Sequence, residues 1–233
     1  PFAFLGSDYD AQLKEVYTTS TTKDLVTPRN KLVGFNSDAM SDSSPLRAML
    51  ARYIDDDMVR AIADEYRKGR ELYIGTTNLD ALRPVIWDIG LIASSGKPGA
   101  KELIHDILLA SASIPVAFPP VMIEVEAGGQ RYDEMHVDGG ATSQVFLYPL
   151  GVDWRRVEQK VKVKGTPQVY LIRNSMLKPK WKSTERNVPP IAGRTISSLI
   201  RTQGIGDMYR IYLVTKRDGL EYHLAYIPDV FDV

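Results

Sequence analysis

The sequence predicts an α/β fold, and three observations carry that expectation. Apolar runs rich in β-branched and aromatic residues alternate along the chain with stretches of helical periodicity. The run Gln168-Val169-Tyr170-Leu171-Ile172 is nearly continuous in apolar character, as in a strand buried on both faces. The 233 residues, 44% hydrophobic and 25% charged, suffice for one sizeable core, and no repeat or long linker divides them, so a single domain over 1–233 is expected.

Taken in order, Phe2, Phe4, Leu5, Leu13 and Val16 give mixed periodicity, expected of a helix end, a short loop and a second helical turn. The polar stretch 18–24 reads as a loop, followed by Leu32-Val33-Gly34-Phe35 and a turn-rich segment from Asn36 to Ser44. Pro45 suits a first helical turn, with Leu46, Met49, Leu50, Tyr53 and Ile54 at helical spacing behind it. Asp55, Asp56 and Asp57 open a further helix carrying Met58, Ile62 and Tyr66, and Gly69 stops it. Three adjacent aspartates also invite a calcium reading, but carboxylates complement a helix N-terminus without any metal.

Strands are expected over Glu71–Thr77 and Pro84–Gly90, joined by a turn through Asn78, Leu79 and Asp80. Pro98 and Gly99 precede an apolar helix through Leu103, Ile107 and Ala110 that runs into Ser111-Ala112-Ser113-Ile114-Pro115. Val121–Val125, the Gly128-Gly129 turn and Tyr132–Asp138 form the pattern of a hairpin. A helix from Ile191 to Ile205 continues over Met208–Thr215, and Tyr222–Ile227 is a last strand. Ahead of that helix, Asn174 to Pro190 is a proline-broken loop. Its cluster Lys178, Lys180, Trp181 and Lys182 suits a solvated surface and could also touch anionic lipid headgroups.

Charge and composition exclude several functions. Lys plus Arg equals Asp plus Glu at 29 each, so no basic surface for nucleic acid is advertised. There is no cysteine, hence no disulfide, thiolate metal site or cysteine nucleophile. No Gly-x-x-x-x-Gly-Lys-Ser/Thr or Gly-x-Gly-x-x-Gly points to a nucleotide, and three scattered histidines without His-Glu-x-x-His give no reason to expect a metal or other cofactor. No apolar run spans a membrane. The chain lacks an initiator methionine and is hydrophobic at both ends, so it is expected to be part of something longer, with its localisation unknown.

The strongest candidate for chemistry is Asp138 in Val137-Asp138-Gly139-Gly140. Two glycines after a strand-end aspartate turn the chain tightly and leave the carboxylate at the sheet edge, where open α/β sheets place ligands. By itself this also describes a turn former. His136, two residues earlier on the same strand face, is a rival partner for a triad or simply a structural histidine. Ser111 and Ser113 read as small packing residues near the site, and Asn78 and Asp80 as turn formers that could also shape the cleft.

The order Leu108 to Val121, with its small-residue helix end and Phe118-Pro119-Pro120 step, then Tyr132, then Val137 to Thr142, resembles the patatin-like phospholipase family. Tyr73 to Asp80 looks like that family's central strand and turn, and Pro1 to Gly6 like the helix after its nucleophile elbow. The resemblance implies a three-layer α/β/α sandwich, incomplete at both ends here, and hydrolysis of lipid acyl esters by a serine/aspartate dyad. Asp138 would be its base, in a motif with Gly139 and Gly140. It implies a lipid or acyl ester partner, with peripheral membrane contact possible.

The sequence departs decisively from that pattern in two motifs. It contains no Gly-x-Ser-x-Gly and no glycine-rich anion-hole motif. Ser7 and Ser37 lack the strand-turn-helix elbow that exposes a nucleophile. The expectation is therefore an acyl hydrolase whose serine precedes Pro1, this segment alone being inactive; the alternative is a noncatalytic lipid- or protein-binding module that keeps the fold.

Overall fold

The computed structural model describes residues 1–28, 39–148, 154, 157 and 164–231. It shows an α/β protein divided into two compact units, Pro1–Thr142 and Ser143–Val233. The segment Leu32–Phe35 and Ser37 lie outside the described residues.

The first unit opens with α1 (Phe2–Leu5), a 3₁₀ turn (Ser7–Tyr9), α2 (Asp10–Thr19) and α3 (Thr22–Leu25). Helix thus replaces most of the loop expected over 18–24. Local capping accounts for α3, where Asp24 accepts from both the N–H and the hydroxyl of Thr21, while in α2 the Thr18 and Thr19 hydroxyls fold back onto the carbonyls of Lys14 and Glu15. Two short strands, β1 (Thr27–Pro28) and β2 (Ser41–Asp42), pair antiparallel before α4 (Ser44–Tyr53), which carries Pro45 in its first turn. In α5 (Asp56–Arg67) the Asp55 carboxylate accepts from Met58 N at 2.9 Å, and Asp56 and Asp57 occupy the first turn. Capping accounts for this aspartate run.

Four antiparallel strands follow, in the order β4-β3-β6-β5: β3 (Tyr73–Asn78), β4 (Arg83–Asp88), β5 (Val121–Ala127) and β6 (Gln130–Asp138). Gly128 and Gly129, with φ of 60° and 77°, form the two-residue connection between β5 and β6 that the strand twist favours. The second strand stops earlier than expected. Asp88 caps the N–H of Leu91 and turns the chain into α6 (Ile89–Ser94), whose Gly90 leaves no room for a Cβ against the Tyr66 ring. Next comes α7 (Ala100–Ser111). Ile54, Met58, Ile62, Ile89, Ile104 and Ile107, all buried, bring the helices against Ile74, Val121 and Ile123 of the sheet.

The second unit joins two parallel strands, β7 (Gln168–Met176) and β8 (Glu221–Ile227), through the 31-residue α8 (Val188–Asp218). One helix thus covers the two stretches expected at 191–205 and 208–215. It starts with Pro189 and Pro190 in its first turn and ends at Gly219 in the left-handed region, φ 74°. The expectation that β7 is buried on both faces is wrong. Leu171 packs with Met208 and Ile211 of α8, while Tyr170 and Ile172 are 68% and 79% exposed. A two-stranded pair with a helix on one face buries alternate residues, and apolar composition alone does not reveal the uncovered face.

Candidate active site

Asp138 is the last residue of β6, and Thr76 of β3 stands opposite it in the ladder. A 3₁₀ turn, Gly139–Ala141, begins immediately after it. The turn lies hard against β3: a Cβ on Gly139 would sit 2.5 Å from the Gly75 carbonyl oxygen and 2.7 Å from its carbon. Only glycine permits that approach.

Both backbone polar groups of Asp138 are held by other elements. Its N–H donates to the Ser113 carbonyl just beyond α7 at 2.9 Å, and its carbonyl accepts from the Thr77 hydroxyl at 2.9 Å. The side chain is nearly free by comparison. One carboxylate oxygen, Oδ1, accepts from Gly140 N at 2.7 Å, and no other described residue bonds the carboxylate. Half-burial pushes the carboxyl above the usual range of its kind, against a smaller downward pull from the Gly140 N–H. A carboxylate held in place, short of partners and raised in basicity is equipped to take a proton.

His136 shares the strand face of Asp138, as its spacing requires, but is engaged elsewhere. It is fully buried, with Nδ1 2.9 Å from the Thr76 hydroxyl and Nε2 3.3 Å from Glu134. The Thr76 oxygen also accepts from the Trp87 indole N–H at 2.8 Å. The network closes with the threonine O–H donating to Nδ1 and Nε2–H donating to Glu134. Trp87, Thr76, His136 and Glu134 thus form a chain of polar groups beneath the sheet's helix-covered face, the structural use of this histidine.

Among the described residues, none of the candidate serines sits in a strand-turn-helix elbow. Ser7 opens an exposed 3₁₀ turn, and Ser111 ends α7. Ser113 is buried, its hydroxyl donating to the Leu109 carbonyl at 2.9 Å. Asn78 and Asp80 are turn residues: Asn78 Oδ1 accepts from Ala81 N, and Asp80 accepts from Met135 N at 2.7 Å, tying the β3–β4 turn to β6. The structure therefore brings Ser113, Gly139 and Gly140 to Asp138 and sends His136 into the interior.

Sequence reasoning missed Thr76 and Thr77. Two consecutive hydroxyls in the middle of a buried strand were the available signal, since a buried hydroxyl needs a partner. The partners that tie them to β6, His136 and Asp138, lie some 60 residues downstream, beyond the reach of any local pattern.

A family model described as patatin-like phospholipase matches residues 2–150 of the chain. Comparison with curated proteins finds no match.

Proposed function

The chain belongs to the patatin-like phospholipase family, a family of lipid acyl hydrolases, and we propose that it supplies the base half of a serine/aspartate dyad, with Asp138 as the base. One observation carries this reading. The Asp138 backbone is fixed at both its N–H and its carbonyl, while its carboxylate has one hydrogen bond and a raised pKa. Gly139 and Gly140 make the turn that presents it.

In the proposed reaction a serine hydroxyl attacks the ester carbonyl carbon as Asp138 takes its proton. The tetrahedral intermediate collapses, the C–O bond to the alcohol breaks, and Asp138 returns the proton to the leaving oxygen. Water then attacks the acyl-serine with Asp138 again as base, releasing the acid and restoring the serine. The serine is proposed to lie outside Pro1–Val233, because no Gly-x-Ser-x-Gly occurs in the sequence. The segment alone is accordingly proposed to be inactive.

Peripheral contact with a lipid surface belongs to the same reading. Trp181 is 89% exposed beside Lys180 and Lys182, and an indole flanked by ammonium groups suits an interface of apolar chains and anionic headgroups. Cosedimentation with vesicles of mixed neutral and anionic phospholipid checks it: Trp181→Ala should reduce the bound fraction.

Assay of p-nitrophenyl ester hydrolysis by the protein extended upstream of Pro1 tests the dyad. Activity lost in Asp138→Asn supports it. Full activity in that variant removes Asp138 from the mechanism, and an inactive extended protein that still binds lipid favours the noncatalytic module.

A further inference from the structure

The Asp138 turn is held from β3 by two residues of one strand face, and they do different work. Gly75 supplies space: its backbone is the wall that a Gly139 Cβ would strike. Thr77, two residues on and hence on the same face, supplies a directed bond. Its hydroxyl lies 2.9 Å from the Asp138 carbonyl oxygen, 2.8 Å from Thr142 Oγ1 and 3.5 Å from the Gly139 carbonyl oxygen. A carbonyl only accepts, so the Thr77 O–H donates to Asp138 and its oxygen accepts from the Thr142 hydroxyl. The result is a hydrogen-bond chain, Thr142 to Thr77 to Asp138, that spans the turn from its far end to its first residue.

We infer that Thr77 is a positioning residue for Asp138: its buried hydroxyl fixes the peptide that aims the carboxylate. Three features set it apart from an ordinary strand threonine. It bonds across the sheet to a residue 61 positions away rather than to its own backbone. The bonded carbonyl belongs to Asp138 itself. The opposite tether, Asp138 N to the Ser113 carbonyl, comes from a separate element, so removing the Thr77 hydroxyl leaves only one of the two backbone polar groups of Asp138 held and lets its carbonyl turn toward solvent.

The inference rests on the reading of Asp138 as base, and the experiment separates the two. In the upstream-extended protein, hydrolysis of p-nitrophenyl butyrate is followed for Thr77→Val, Thr77→Ser, Thr142→Val and Asp138→Asn. Thr77→Val keeps the shape and removes the hydroxyl. It should lower kcat about 10- to 100-fold with little change in KM, because a small misplacement of a base acts on the chemical step. Its acid limb should move to lower pH, since a carboxylate that swings toward water loses the effect of burial. Thr77→Ser should recover most of the rate, and Thr142→Val should lose less than Thr77→Val.

Unchanged kcat and pH profile in Thr77→Val overturn the inference. An equal loss in Thr77→Ser also overturns it, because packing of the methyl group would then be the cause. Should Thr77→Val fail to fold by circular dichroism, Thr142→Val decides, a wild-type rate and profile being the negative result. If Asp138→Asn is active, the base assignment fails and Thr77 with it; if only Thr77→Val is active, the positioning inference alone is lost.

Discussion

Each unit keeps an aspartate from solvent, and the two are treated in opposite ways. Asp207, on α8 in the second unit, is 1% exposed and fully occupied: it accepts from Gln144 N at 2.8 Å, Arg210 at 2.7 Å and Gln203 at 3.2 Å. Asp138, in the first unit, is half-buried and accepts a single side-chain bond. A buried carboxylate with its lone pairs satisfied holds a fold together. One whose backbone is fixed while its oxygens are left short of donors is preserved for something else, and this difference in bonding, more than burial, separates the structural aspartate from the candidate base.

Replacement of each carboxylate tests that contrast, beginning with the largest effect. Asp138→Asn in the upstream-extended protein should cut ester hydrolysis by about 10²- to 10⁴-fold, the usual contribution of a general base, with folding intact by circular dichroism. Asp207→Ala should show the reverse. It strands the Gln144 N–H and breaks the tie between α8 and the segment before β7, at a cost of about 2–4 kcal/mol in urea denaturation. If Asp207→Ala is as stable as wild type, hydrogen-bond count is no guide to role here.

Gly139→Ala probes the space that presents Asp138. The added Cβ meets the Gly75 backbone, which cannot rotate away as a side chain can, so a loss of about 1–3 kcal/mol in stability is expected with a fall in activity. Gly204→Ala is the matching change in the second unit. Its Cβ meets the ends of the Gln144 and Arg173 side chains, which can move, so thermal melting should show a smaller loss.

The smallest effect is one of pH. Burial raises the Asp138 pKa in the folded protein, so the folded state binds the proton more tightly than the unfolded chain. Stability from this source is complete below the unfolded carboxylate value and is lost as pH rises through the raised folded value. Asp138→Asn cannot ionise. Its melting temperature relative to wild type should therefore rise from acid to neutral pH, whatever constant offset the amide brings; a difference that stays flat contradicts the raised pKa.

Much of this was legible in the sequence because its causes are local. The Asp55 cap, the turn at Gly128 and Gly129, and the apolar spacing of Met58 and Ile62 act within a few residues, so the sequence marks them directly. The failures also have local or neighbouring causes. Asp88 caps a helix that strand-like composition had concealed, and Ile172 is apolar yet exposed because no described element covers its face of β7.

Residue type and short spacing were enough to specify the α/β succession, the family and the Asp-Gly-Gly turn. Tertiary structure alone decided what Asp138 and His136 touch. They share one face of one strand, yet one is sealed against Thr76 and Glu134 while the other is held by Ser113 and Thr77 with its carboxylate nearly unpaired. These partners come from β3, β6 and the end of α7, and no rule of spacing specifies which buried hydroxyl reaches which strand end. Close packing of the sheet against its helices makes that choice.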